Sequence, residues 1–122
     1  MNWTAVGAML LALAVGLGAF GAHALKNHLD AYRMGVWEKA VFYHFVHALG
    51  VLVVGVMGKV GMVTPEQGGR VSLLLVAGVA LFSGSLYLLA WSGLVQLGAV
   101  TPLGGVAFIA AWVWLAVALM RQ

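Results

Sequence analysis

Residues 3–25, WTAVGAMLLALAVGLGAFGAHAL, contain no Asp, Glu, Lys or Arg. A transmembrane helix needs roughly 20 consecutive, mostly apolar residues, and this run reaches that length before Lys26 ends it. It is too long for the core of a cleaved signal peptide, which spans roughly 7 to 15 residues, and Met1-Asn2 supplies no basic side chain ahead of it. Ala22-His23-Ala24 has the small-x-small form of a cleavage site, but the length and flank of the run predict that it is retained as a first membrane helix.

Three further apolar runs follow, about 37–58, 71–95 and 102–120, each long enough to span. Four segments cannot close a transmembrane barrel, and backbone groups inside lipid must find partners within their own segment, so all four are expected to be helices. The chain of 122 residues is 64% hydrophobic and only 7% charged, which leaves no room for a separate soluble domain. The expected fold is all-α: one integral membrane domain over residues 1–122, built as a four-helix bundle. The formal charge of +3 resides at segment ends and in loops, where it flanks lipid headgroups and gives no reason to expect nucleic-acid binding. There is no cysteine, which excludes disulfides, thiolate metal sites and cysteine nucleophiles.

Local signals punctuate these runs. Thr101-Pro102 reads as an N-cap followed by proline at the first helical position, and Thr64-Pro65-Glu66-Gln67 adds the spacing of a capping box, so the third helix is expected to begin before its apolar run. Between the first two spans, KNHLDAYRMGVW (26–37) and the preceding leucine place Leu25, Leu29, Tyr32 and Val36 on one helical stripe with Lys26, Asp30 and Arg33 opposite. That pattern predicts a short amphipathic interfacial segment, with a solvated turn as the alternative. Lys26, Arg33 and Lys39 on one side balance Lys59, Arg70 and Arg121 on the other. The first helix, with no base before it and two soon after, breaks the tie toward both termini outside.

Small residues suggest where helices approach: Ala14, Gly18 and Ala22 on the first, Gly55, Gly58 and Gly61 at the end of the second, Ala80 and Gly84 on the third, Ala107 and Ala111 on the fourth. Trp3, Trp37 and Trp91 fall near segment ends and read as headgroup anchors, whereas Trp112 and Trp114 sit deeper and face lipid or fill the bundle.

The candidate site is formed by histidines where lipid is expected. His44 and His47 share one face of the second helix, and His23 ends the first. Ionisable groups within a membrane usually turn inward and are candidates for function. A metal held by His23, His44 and His47, a haem between His23 and His47, and a proton relay through His47, Tyr43 and Lys39 are three alternatives; no embedded carboxylate or cysteine supports the first, and no other cofactor signal the second. The favoured reading needs no cofactor. In it His23, Tyr43 and His47 join Ser83, Ser85 and Tyr87 in an internal polar network of a non-enzymatic bundle, with a structural role or a role in binding membrane lipids, a second copy of the chain or a membrane protein partner. The alternative is a small transporter or proton-coupled protein using His23 and His47. A small multidrug transporter also has four helices but requires a carboxylate deep in its first helix, and residues 3–25 have none. No nucleophile-base-orienter set, phosphate-binding glycine loop or paired carboxylates suggest an enzyme.

Taken together, GAFGAHAL (18–25), MGVWEKAVFYHFVHAL (34–49), LFSGSLYLLA (81–90) and TPLGGVAFIAAW (101–112) resemble the small membrane-protein family called domain of unknown function 423. The resemblance covers nearly the whole chain. It implies a multi-pass protein of the bacterial inner membrane type with no established activity. The family pattern falls on Gly18, Gly21, His23, Trp37, Tyr43, His47, Ser83, Gly84, Ser85, Tyr87, Thr101, Pro102, Gly104 and Gly105. His44 departs from it, because the family often has another polar residue there.

Overall fold

The computed structural model describes residues 1–121 and contains no strand among them. Helix α1 (Trp3–His23) opens on Asn2, whose side chain accepts from Ala5 N at 3.2 Å and so satisfies one of the amides that the first turn leaves without a partner. Helix α2 (Ala31–Lys59) opens on Asp30, whose carboxylate accepts from Arg33 N at 2.8 Å.

That cap corrects the expected layout of the first connection. The amphipathic interfacial segment is not a helix of its own: Ala24 to Leu29 form turns, and residues 31–36 are the first turns of α2, which starts before the expected 37. Asp30 offers an N-cap, and nothing between it and Trp37 breaks the helix, so the polar flank simply continues into the span. Of the predicted stripe, Leu25 is buried, Leu29 and Val36 are half-buried, and Tyr32 is exposed. At 1.5 Å per residue α2 is about 43 Å long, more than the ~30 Å hydrocarbon core, so its first turns reach beyond it.

The third span is continuous but irregular. Helix α3 (Pro65–Gly78) begins in the expected capping box, Thr64 Oγ1 accepting from Gln67 N at 3.1 Å and Thr64 N donating to Gln67 Oε1 at 3.0 Å. A π-helical turn (Val79–Ser83) follows, and then α4 (Gly84–Ser92), which ends on Gly93 at φ 76°, a left-handed C-terminal position suited to glycine. A 3₁₀ turn (Val95–Ala99) leads to α5 (Thr101–Met120). The helix starts at Thr101 as expected, but Thr101 is not the cap: its hydroxyl lies 2.6 Å from Ser85 Oγ. Four helical segments are long and apolar enough to cross a membrane, and four crossings bring both termini to the same side.

Helix α2 lies between α1 and the third span, and α5 packs mainly against α3 and the π-turn, reaching α2 where Phe108 and Trp112 meet His47 and Gly50. Lipid is as apolar as leucine, so association rests on close van der Waals contact and interhelical hydrogen bonds rather than on escape from water. Gly7 lies against Leu52, Gly18 against Val41 and Gly21 against Trp37, an antiparallel register. A Cβ at Gly7 would stand 2.8 Å from Leu52 Cα, so only glycine permits this approach. Gly104 abuts the Phe82 backbone in the same way, across the seam between α5 and the π-turn. The fully buried small residues of α1 are Gly7, Ala14 and Gly21; of the expected set, Ala14 is buried and Gly18 meets Val41, but Ala22 is exposed. A spacing of seven follows a seam between two helices wound gently about each other, whereas a spacing of four drifts off it. Likewise Gly55 meets Thr4, but Gly58 faces open space, Gly61 lies beyond α2 at φ 81°, and Ala80 is exposed. The core joins Val51 and Val54 of α2, Val71 and Leu75 of α3, and Phe108, Ala111 and Leu115 of α5. Met9, Leu13, Phe42, Leu73, Leu88 and Ile109 point outward, as lipid-facing side chains do.

Candidate functional site

The polar groups gather where α2 meets the π-turn and α4. His44 lies about 20 Å along α2 from its start and is only 1% exposed. Its Nδ1 is 2.8 Å from Tyr87 Oη of α4. The Tyr87 ring packs 4.8 Å from that of Trp37, whose indole N–H donates to Leu17 O of α1 at 3.0 Å. Trp37 is thus buried inside the bundle rather than anchored among headgroups. Ser83 is fully buried at the end of the π-turn and donates to Ala40 O at 2.7 Å. The widened turn, in which Gly84 N bonds Val79 O, brings Ser83 against α2. Ser85 bonds Phe82 O at 2.9 Å as well as Thr101, so it joins the fourth span to the third.

His47, one turn further along α2, serves a different contact. Its Nδ1 donates to Tyr43 O at 2.8 Å, which fixes the proton on Nδ1 because a carbonyl only accepts. Its ring stacks on Phe108 of α5 with centroids 3.5 Å apart and planes 14° from parallel. Trp112 flanks it at 5.8 Å. Tyr43 enters through its carbonyl and its ring, which packs on Phe82 at 4.3 Å, and its hydroxyl makes no hydrogen bond among the described residues.

His23 and His47, expected as a pair, are not brought together. His23 is exposed at the last residue of α1 and makes no side-chain hydrogen bond among the described residues. Gly21 is level with Trp37, which lies about 15 Å along α2 from His47. His44 occupies the central position instead. Lys39 is exposed, away from the buried histidines. Among the described residues no three His, Cys, Asp or Glu side chains are grouped so as to hold a metal ion. Ser83 and Ser85 donate to carbonyls and not to an imidazole, so neither is arranged as an activated nucleophile.

Two features were missed at the sequence level. Arg33, at the start of α2, donates from Nε to Ala90 O and from Nη2 to Trp91 O, both at 2.6 Å, and so caps the carbonyls at the end of α4. Gly93 signals that helix end in the sequence, but nothing there points to an arginine from a distant turn. Ser72 Oγ and His44 Nε2 are buried without a hydrogen-bond partner among the described residues.

The family described as protein of unknown function (DUF423) matches residues 17–105. The UPF0382 membrane protein YwdK of Bacillus subtilis is 45% identical over 120 residues, covering 95% of this chain and 94% of the relative. The UPF0382 membrane protein SH2409 of Staphylococcus haemolyticus is 43% identical over 116 residues, covering 95% and 93%. A third, SSP2132 of Staphylococcus saprophyticus, is 44% identical over 112 residues, covering 92% and 91%. No solved structure matches the chain.

Proposed function

This chain belongs to the DUF423 family of multi-pass membrane proteins, and on that premise we propose that it is a non-enzymatic bundle that binds membrane lipid or a membrane partner and moves no solute. The observation that carries this reading is how the polar groups between α2 and the third span are spent. His44 engages Tyr87, Ser83 engages Ala40 O, and His47 engages Tyr43 O while stacked on Phe108. A transport pathway needs polar groups facing a water-filled route that opens alternately to each side. Here His44, Ser83 and His47 each bond a side chain or the backbone, and none of them lines the clefts beside Trp3, Phe20, Trp37, Thr64 or Leu10. The network's role is then to fix the register of α2 against the third span, since interhelical bonds of this kind average about 0.6 kcal/mol and specify geometry more than they stabilise.

The test uses the natural absence of cysteine. His47→Cys in lipid nanodiscs is expected to resist a membrane-impermeant maleimide, whereas rapid labelling would replace the dry bundle with an aqueous pathway. The membrane assigned is of the bacterial inner membrane type, with both termini outside. A periplasmically active phosphatase fused after Gln122 is expected to be active; an inactive fusion that regains activity when attached in the first loop would reverse the orientation.

A further inference from the structure

The cap that Arg33 places on α4 forms one wall of a cleft of about 350 Å³ on the side of the molecule opposite the termini. Phe20, Leu25, Leu29 and Trp91 make it apolar, and Arg33 and His28 line it as well. The Phe20 and Trp91 rings stand 6.3 Å apart, both substantially exposed at the helix flank. The cleft therefore opens toward lipid at the level where the spans end.

Its charge is specific. The Arg33 guanidinium is held by two neutral carbonyls, and Arg33 forms no ion pair with a carboxylate among the described residues. The nearby Asp30 carboxylate is engaged with the α2 backbone. The end of α4 supplies only the partial negative charge of a helix terminus, about half an elementary charge, and Lys26 offsets Asp30, so this end of the bundle keeps a net positive field. Nη1 is left without a partner, beside Gly93, and Lys26 is exposed in the same turn as His28. A fixed cation at the headgroup level above an apolar slot complements a phosphate that carries an acyl chain.

We propose that this cleft binds one anionic phospholipid, its phosphate on the free edge of Arg33 with Lys26 and His28 nearby, and an acyl chain along Phe20 and Trp91. The volume falls at the lower end of that for small-molecule sites, enough for a headgroup and the first methylenes while the remaining chain stays in the bilayer. A free phosphate would leave the apolar wall unused. The inference rests on the binding role proposed above and names its ligand and its site.

Native mass spectrometry of the full chain, equilibrated in micelles with equal amounts of phosphatidylglycerol and phosphatidylcholine of the same acyl composition, reads it directly. One phosphatidylglycerol should be retained in preference. Arg33→Gln should reduce that preference about fivefold, the scale of one basic side chain at an anionic surface. Ala24→Trp, which fills the cleft and leaves Arg33 in place, should remove the bound lipid, and it decides the matter if the Arg33 variant does not fold. Equal retention of the two lipids, unchanged retention in Ala24→Trp, or displacement by millimolar inorganic phosphate would overturn the proposal. None of these results alters the labelling of a cysteine at position 47, so a failed lipid site and a failed dry bundle are distinguishable.

Discussion

Helix α2 is held on its two sides by different means. Toward α1 the contact rests on absence of side chain: Gly7 and Gly21 let Leu52 and Trp37 close on the α1 backbone, and Trp37 donates to Leu17 O across that seam. Toward the third span polar groups add to the apolar core, with Arg33, Ser83 and His44 each bonded to or from that span. Inside lipid the two solutions are alike in purpose but not in tolerance. A close-packed glycine seam has no space to yield, whereas a hydrogen-bonded seam loses one bond at a time, and each is worth little.

The contrast sets the order of expected effects. Gly7→Val drives a side chain into the Leu52 backbone, and its cost is expected to be about 3 kcal/mol or more in detergent unfolding followed by circular dichroism. If it proved as mild as the polar changes below, the glycine seam would not be the tighter of the two. Arg33→Ala releases the Ala90 and Trp91 carbonyls near the headgroups, where water replaces part of what is lost, so a cost of about 1 kcal/mol is expected. Amide exchange at Trp91 to Gly93 should rise as the end of α4 loosens. A double-mutant cycle of His44→Phe with Tyr87→Phe should give a coupling of about 0.6 kcal/mol, and zero coupling would remove that pair from the seam. Thr101→Val is expected to cost least, below about 0.5 kcal/mol, because Ser85 keeps its second bond to Phe82 O.

The four spans were legible because lipid demands long uncharged runs and leaves few alternatives for the backbone. The capping box at Thr64 was equally plain, since its two bonds lie within four residues. What lay beyond the sequence depends on register between distant segments. His23 ends an apolar run and so looks buried, yet its place at the end of α1 leaves it exposed, while His44 becomes the buried partner of Tyr87 only once α2 and α4 are aligned. The π-turn carries no compositional mark: Val79 to Ser83 read as ordinary helix, and the extra residue is evident only in the Gly84 to Val79 bond. The same holds for Thr101, whose position predicts a cap but whose hydroxyl is drawn to Ser85 across the bundle. The stripe in the first connection misled for a simpler reason, because Asp30 turns its second half into the beginning of α2.

A membrane-impermeant maleimide reacted with single cysteines at positions 23 and 44 in lipid nanodiscs, which leave both faces open to reagent, distinguishes a dry seam from a wet one. Prompt labelling is expected at 23, where the native side chain is exposed, and protection at 44 until the protein is unfolded. Comparable labelling of both in the folded protein would contradict the dry seam, because water would then reach the contact between α2 and the third span.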